Sequence, residues 1–177
     1  HAAVATLLFC LASSATYIVN DVRDIESDRR HPIKSTRRPL AAGIISVPSA
    51  LSVLSFIYAT LIVAWWFEPR VMTVIVAYLL LNVAYTFWLK HQPVIDIFSI
   101  ALGFVLRVFA GATALDVPVS GWMFVTTLCL ALYLASIKRS QELSQNGTEG
   151  RKVLEKYSKP LVDRYAEMAA TSALVFY

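Results

Sequence analysis

Residues 2–19, AAVATLLFCLASSATYIV, contain no charged side chain and run directly into residues 20–40, NDVRDIESDRRHPIKSTRRPL. The second stretch holds four acidic residues and six Lys or Arg in twenty-one positions. The first stretch has close to the length of about 20 apolar residues that an α-helix needs to cross a bilayer. We therefore expect a transmembrane helix whose end carries a concentrated cluster of charge.

Composition places the whole chain among membrane proteins. Of its 177 residues, 57% are hydrophobic and 16% are charged, and the mean hydropathy is +0.59. Soluble domains average about 45–50% apolar and about 25% charged residues. The composition therefore argues against a soluble globular domain.

Six apolar stretches have the length and composition of membrane-spanning helices. They cover approximately residues 2–19, 47–67, 71–89, 94–115, 119–137 and 161–177. Two long charged segments, 20–46 and 138–160, interrupt them, and the other links are short. We predict an all-α, polytopic transmembrane helical bundle that forms one domain over residues 1–177.

Lys and Arg are unevenly distributed between the two sides of this predicted bundle. The links 20–46, 90–93 and 138–164 hold 6, 1 and 7 of them, whereas the opposite side receives only Arg70. By the positive-inside rule, the two long segments are expected in the cytoplasm. A basic membrane face favours anionic lipids or anionic substrates. We expect membrane lipids among the partners and no nucleic acid.

The acidic residues at the end of the first span follow a helical spacing. Asp21, Asp24 and Asp28 stand at i, i+3 and i+7, and these steps return to one helix face within about 60°. Asn20 adds a neutral oxygen at the top of this ladder. Mg²⁺ takes oxygen ligands and commonly shares one or two carboxylates with substrate phosphates. The four residues are therefore a candidate Mg²⁺ site, with the three aspartates as candidate catalytic residues.

A basic segment follows the acids. Pro32 and Pro39 argue against a continuous helix, so a loop is expected to bring Lys34, Arg37 and Arg38 back toward the carboxylates. Arg can bind a phosphate through two parallel hydrogen bonds, and Lys acts more as a point charge. Acids for a metal beside bases for phosphate indicate a diphosphate–Mg²⁺ site. The alternative is a solvated helix end with ordinary cytoplasmic cations.

The motifs NDVRDIESD (20–28), HPIK (31–34) and RPLAAG (38–43) resemble the first aspartate-rich motif of the UbiA superfamily of intramembrane prenyltransferases. The resemblance implies a bundle of about nine helices, Mg²⁺ bound against a diphosphate, and a chain that is a fragment without the first and last helices. It also implies an integral protein of a bacterial plasma membrane. The family pattern has Lys-x-x-Arg-Pro where this chain reads KSTRRP, so Arg37 and Arg38 are both candidates for the family's arginine.

Residues 133–158 indicate which branch of the family this chain resembles. Family members that use prenyl diphosphates carry Asp-x-x-x-Asp near residues 133–158, and this chain has none there. In this segment the chain has Tyr133, Lys138, Arg139 and Glu142 instead. This arrangement, together with AYTFWLKHQPVIDIFSIALGFVLRVFAGA (84–112), is similar to the decaprenyl-phosphate phosphoribosyltransferase branch. Lys138 and Glu142 are expected to share a helix face because they are four residues apart.

Two further cations are candidate substrate ligands. Arg107 lies inside a predicted span, where an arginine costs roughly 2.5–3.5 kcal/mol on insertion scales and is a functional candidate by default. It follows Asp96 by about three turns, so we expect both to point the same way, with a structural ion pair as the alternative. Lys90, in a short link, is either a phosphate ligand or an interface anchor.

The resemblance implies Mg²⁺-dependent transfer of phosphoribose from phosphoribosyl diphosphate to a polyprenyl phosphate lipid. Three alternatives stay open at this point. They are a prenyltransferase acting on an aromatic or similar acceptor, a membrane transporter, and a scaffold without an active site. A transporter would place its ionisable residues along a pathway near mid-bilayer, whereas here they crowd one face.

Overall fold

The computed structural model describes residues 1–30, 34–146 and 156–177. This part of the chain is helical and contains no β-strand. A 3₁₀ turn, Leu89–His91, precedes the fifth α-helix. The α-helices are α1 (Ala2–Arg30), α2 (Lys34–Arg37), α3 (Val47–Trp65), α4 (Pro69–Phe87), α5 (Ile95–Ala114), α6 (Gly121–Asn146) and α7 (Lys159–Phe176). The predicted all-α fold class is confirmed.

Five of these helices are long and apolar enough to cross a membrane. They are α1, α3, α4, α5 and α6, and each corresponds to one of the predicted spans. The predicted sixth span, α7, does not qualify within the described residues. Its sequence, KPLVDRYAEMAATSALVF, carries charged side chains through its first half.

Two helices continue well beyond the predicted spans. Helix α1 ends at Arg30 rather than near residue 19, and α6 ends at Asn146 rather than near residue 137. Neither extension contains Pro or Gly, so nothing in the backbone stops the helix when the apolar run ends. The first half of the predicted loop 20–46 and the start of the predicted loop 138–160 are therefore helical.

The chain forms two compact units, His1–Leu79 and Leu80–Tyr177. In the first unit, α1 packs against α3. Ala12 and Ala15 of α1 are fully buried, and small side chains at such positions let helices approach closely. The Phe9 and Tyr78 rings lie 4.6 Å apart between centroids, and the Tyr78 hydroxyl is 3.2 Å from Ser13 Oγ.

In the second unit, α6 packs against both α5 and α7, and α5 also contacts the 3₁₀ turn. A small core lies where these helices meet, formed by Ile97, Ala135, Tyr157 and Val162. Tyr157 precedes α7, so this core joins the start of α7 to α5 and α6. The polar cluster described below lies beside it.

The packing in the first unit makes a stability prediction. Replacing fully buried Ala12 by Leu adds volume to a closely packed position, and such overpacking typically costs 1–3 kcal/mol. We expect Ala12→Leu to lower the thermal unfolding midpoint in detergent. Ala3→Leu, at an exposed position of the same helix, is the matched control and should leave the midpoint nearly unchanged. Equal midpoints for the two variants would contradict the packing described here.

Candidate active site

The first polar cluster joins the end of α1 to the segment after α2. Arg38 Nη1 donates to Asp21 Oδ1 and lies 3.4 Å from Asp28 Oδ2. The side chains of Arg38 and Asp21 are 31% and 24% exposed, whereas that of Asp28 is only 5% exposed. Two carboxylates seven residues apart thus converge on one nitrogen, as the helical spacing predicts. We call Asp21, Asp28 and Arg38 the acid–arginine cluster.

Local structure explains why Arg38 reaches the acids. Helix α2 packs against α1, and a hydrogen-bonded turn follows it. The Ala42 N–H donates to the Arg38 carbonyl at 2.8 Å, and Gly43 adopts φ +74°, which glycine accommodates without steric cost. The turn fixes the backbone of Arg38 beside α1. Arg37, the other candidate, has an exposed side chain, and among the contacts described here it is Arg38 that meets the carboxylates.

The residues of this cluster fit a metal only in combination with a substrate. Asn20 and Asp24 are half-buried on the same helix end. Within residues 1–30, 34–146 and 156–177, no three His, Cys, Asp or Glu side chains form a group arranged to hold a metal ion. Mg²⁺ does not require such a cage, since one or two carboxylates plus substrate phosphates commonly hold it. Asp21 and Asp28 converge as that arrangement needs.

The second polar cluster is centred on a buried ion pair. Asp96, at the start of α5, is 0% exposed, and Arg139 of α6 is 1% exposed. Arg139 Nε donates to Asp96 Oδ2 at 2.6 Å. Its Nη1 donates to Glu142 Oε2 at 2.5 Å, and its Nη2 donates to the Tyr85 hydroxyl at 3.2 Å. Each nitrogen of the guanidinium therefore has its own acceptor.

Tyr157 completes this cluster from the opposite side of Asp96. Its hydroxyl donates to Asp96 Oδ1 at 2.5 Å and accepts the Val94 N–H at 2.5 Å. Burial and the hydrogen bond to the Asp96 carboxylate raise the pKa of Tyr157 above its ordinary value. The phenol is therefore a protonated donor at neutral pH. We call Tyr85, Asp96, Arg139, Glu142 and Tyr157 the buried network.

Arg139 is the ion-pair partner of both acids in this region. Lys138 and Glu142 lie one turn apart on α6, as their spacing predicts, and Glu142 pairs with Arg139 while the Lys138 side chain is exposed. Asp96 pairs with Arg139 and not with Arg107. The Arg107 side chain is exposed, and its guanidinium carbon lies 4.9 Å from the centre of the Phe104 ring. The cause is the greater length of α6, which carries Arg139 alongside the start of α5.

Two further predicted site residues, Lys90 and Tyr133, belong to the second unit. Lys90 lies half-buried in the 3₁₀ turn, and Tyr133 is half-buried on α6. The side chain of Lys34 and residues 147–155 of the predicted loop 138–160 lie outside the described part of the structure. Their roles remain predictions.

Sequence reasoning missed Tyr157 and the role of Asp96. Tyr157 lies in a charged segment with no motif around it, and its contact with Asp96 spans 61 residues. For Asp96 a signal was present, because an acid at the start of an apolar span is costly unless it is paired. Tyr85, which accepts from Arg139, makes the kind of helix–helix polar contact typical of such residues in membrane helices.

The fold and these clusters define a polytopic helical membrane protein with an acid–arginine cluster at the end of its first helix. The model of the UbiA prenyltransferase family matches residues 1–154. The chain therefore belongs to the UbiA prenyltransferase family, which confirms the family resemblance of the sequence.

Three curated relatives are similar over almost the whole chain, and each is a decaprenyl-phosphate phosphoribosyltransferase. The protein from Mycolicibacterium smegmatis is 38% identical over 98% of this chain and 56% of its own length. That from Mycobacterium tuberculosis is 36% identical over 98% and 59%, respectively. That from Corynebacterium glutamicum is 36% identical over 99% and 54%. The chain thus spans a little over half the length of these relatives.

The buried ion pair makes a stability prediction. Removing one partner of a buried pair leaves an uncompensated charge and typically costs 3–5 kcal/mol. We expect Arg139→Gln to lower the thermal unfolding midpoint strongly, because Asp96 loses its cation. Arg107→Gln removes the same charge from an exposed position of the same unit and should have a small effect. Similar midpoints for the two variants would contradict the compensation of Asp96 by Arg139.

Proposed function

We propose that the full-length protein is a membrane transferase that moves phosphoribose from phosphoribosyl diphosphate to a polyprenyl phosphate. The observation that carries this proposal is the similarity over 98–99% of the chain to relatives named decaprenyl-phosphate phosphoribosyltransferase. From the distribution of Lys and Arg, we also propose that residues 20–46 and 138–160 face the cytoplasm.

The chemistry of the two clusters supports a phosphoribosyl donor over a prenyl diphosphate. A second metal site for a prenyl diphosphate would need accessible carboxylates near the end of α6. Among the residues described there, Asp96 is fully buried and bound to Arg139, and Glu142 is 23% exposed and bound to the same guanidinium. Half-buried Asp163 accepts a hydrogen bond from Ser140 of α6 at 2.6 Å. Exposed Lys138 is instead suited to an additional phosphate. Phosphoribosyl diphosphate carries such a phosphate at its 5-position.

In the proposed reaction, a phosphate oxygen of the lipid attacks C1 of the phosphoribosyl group, a C–O bond forms, and the bond from C1 to the diphosphate breaks. The electron pair leaves with the diphosphate. The nucleophile is already anionic, so no strong general base is required. When bound, Mg²⁺ would neutralise charge on the departing diphosphate and orient it.

The residues of the acid–arginine cluster have separate tasks in this proposal. Asp21 and Asp28, with Asp24 and Asn20, would hold the metal on the leaving group. Arg38 neutralises the carboxylates of Asp21 and Asp28 and is placed to donate to a diphosphate oxygen. The contribution of these groups is positioning and electrostatic stabilisation of charge that develops in the transition state.

The metal role gives the first test. We expect Asp21→Ala and Asp28→Ala each to abolish turnover, with little loss of folded protein, in membranes containing the full-length protein, phosphoribosyl diphosphate and a polyprenyl phosphate. EDTA should abolish wild-type turnover, and added Mg²⁺ should restore it. Glu26→Ala is the matched control, since Glu26 lies on the same helix with a side chain 79% exposed. Full activity of either aspartate variant at ordinary Mg²⁺ would refute the metal role.

The same assay tests the donor. If a radiolabelled prenyl diphosphate is consumed with an aromatic acceptor while phosphoribosyl diphosphate stays intact, the protein is a prenyltransferase and the proposed donor is wrong. Consumption of phosphoribosyl diphosphate that depends on the lipid phosphate supports the proposal.

Lys138, the exposed neighbour of Arg139 on α6, gives a test of the proposed phosphate contact. Removing an exposed cation that binds a substrate phosphate weakens ground-state binding, so we expect Lys138→Ala to raise the KM for phosphoribosyl diphosphate about tenfold, the equivalent of roughly 1.4 kcal/mol. Lys159→Ala removes a similar exposed charge at the start of α7 and should leave the KM unchanged. An unchanged KM in Lys138→Ala would remove this residue from the substrate site.

A further inference from the structure

The buried network places Arg139 where a substrate phosphate has no access to it. Its side chain is 1% exposed, and its three nitrogens donate to Asp96, Glu142 and Tyr85. A guanidinium used for phosphate binding needs N–H groups that are open to the ligand. The neighbouring Lys138 is exposed, and Glu142 keeps 23% of its side chain exposed. Tyr85 is also only half-buried, so within the network Glu142 is the charged group that a substrate can reach.

We propose that Asp96 and Tyr157 are positioning residues that fix Arg139, and that Arg139 in turn orients Glu142 toward the substrate instead of binding a substrate phosphate itself. This inference rests on the proposed transferase function. It adds Asp96 and Tyr157 to the machinery of the second unit and changes the role of Arg139 from ligand to support.

The hydrogen bonds of Asp96 explain how the fixing works. Its two carboxylate oxygens accept from Arg139 Nε, from the Tyr157 hydroxyl and from the Ile97 N–H at 2.9 Å. The last of these ties the carboxylate to the first turn of α5. A buried carboxylate with its acceptor sites occupied in this way has one favourable position, and a buried polar network with all members bonded is rigid. Arg139 is held with it.

Tyr157 has a second contact that reinforces the first. The Val94 N–H donates to its hydroxyl, and Val94 has φ 68° and ψ −48°. These angles are close to those of the strained classic γ-turn, and a positive φ at a β-branched residue is unfavourable. Such a conformation persists only where the surrounding contacts determine it. The Tyr157 hydroxyl thus stabilises the strained backbone from which Asp96 enters α5.

The direct test removes one hydroxyl and leaves every charge in place. In the full-length protein, we expect Tyr157→Phe to lower kcat/KM for phosphoribosyl diphosphate about tenfold, since hydrogen bonds to charged groups are worth roughly that factor or more. Tyr165→Phe is the matched control, because Tyr165 packs against the same small core and lies outside the buried network. It should keep the wild-type kcat/KM. An unchanged kcat/KM in Tyr157→Phe would overturn the proposal.

A double-mutant cycle separates positioning from a general loss of structure. If Tyr157 acts through Glu142, the variant with both Tyr157→Phe and Glu142→Gln should be no worse than Glu142→Gln alone. If the two losses multiply, Tyr157 has only a structural role and the inference is wrong. An unchanged kcat/KM in Glu142→Gln would also overturn it, since nothing would then be positioned.

Arg139→Lys distinguishes support from direct phosphate binding. Lys keeps the positive charge but lacks the planar fork that serves several acceptors at once. Positioning predicts a loss of kcat/KM as large as that of Arg139→Gln, whereas a phosphate ligand would retain much of its function as Lys. Should Tyr157→Phe fail to fold, Val94→Gly in the same chain lowers the cost of the positive φ, and the cycle is measured in that background.

Measuring the wild-type protein first separates the test of the proposed donor from the test of the positioning roles. If it uses a prenyl diphosphate and ignores phosphoribosyl diphosphate, the proposed function fails. The cycle is then measured with the prenyl diphosphate, and non-additivity between Tyr157 and Glu142 decides the positioning roles by themselves.

Discussion

The second unit depends on the cost of burying Asp96. A carboxylate that is 0% exposed is tolerated only with a partner charge and with hydrogen bonds to its remaining lone pairs, and Arg139, Tyr157 and the Ile97 N–H supply these. The requirement joins the start of α5, the polar end of α6 and the segment before α7 at one point. If α5, α6 and the segment before α7 did not meet here, the Asp96 carboxylate would be buried without a compensating charge. The polar contact therefore specifies how apolar helices, which attract one another with little selectivity in lipid, come together.

The acid–arginine cluster of the first unit differs from this network in accessibility. Arg38 and Asp21 are 31% and 24% exposed, so water and ligands can reach their ion pair, and breaking it costs far less than breaking a buried one. Asp28, at 5% exposed, is the buried member of this cluster. A site that must accept a metal and a diphosphate and release a product needs such exchangeable partners. The buried network has the opposite property and suits support. The division between exchangeable and fixed polar groups follows from exposure alone and does not depend on which donor is used.

The parts of this arrangement that the sequence predicted are those set by local periodicity. The i, i+3, i+7 spacing was sufficient to predict that Asp21 and Asp28 share a face, because α1 contains no Pro or Gly to interrupt it. The choice between adjacent Arg37 and Arg38 was left open, since it depends on the turn that ends at Gly43. The role of Tyr157 could not be predicted from the sequence, because its partner Asp96 lies 61 residues away and no pattern in its own segment marks it. The predicted membrane spans end near residues 19 and 137, before α1 and α6 end, because hydropathy marks where a membrane span ends and not where the helix ends.

The length of α6 also explains why two adjacent cations have different surroundings. If α6 ended near residue 137, Lys138 and Arg139 would both lie in a loop and either side chain could turn toward a ligand. On a helix, adjacent residues point about 100° apart, so one of them faces the core when the other faces outward. Arg139 is the better inward residue, because its planar guanidinium serves Asp96, Glu142 and Tyr85 together, whereas a strongly hydrated ammonium would lose more on burial. Lys138 is then the outward one, with its charge available to an anion. The order of these two residues therefore matters as much as their presence, and exchanging them would place the ammonium in the core beside Asp96 and the guanidinium outside.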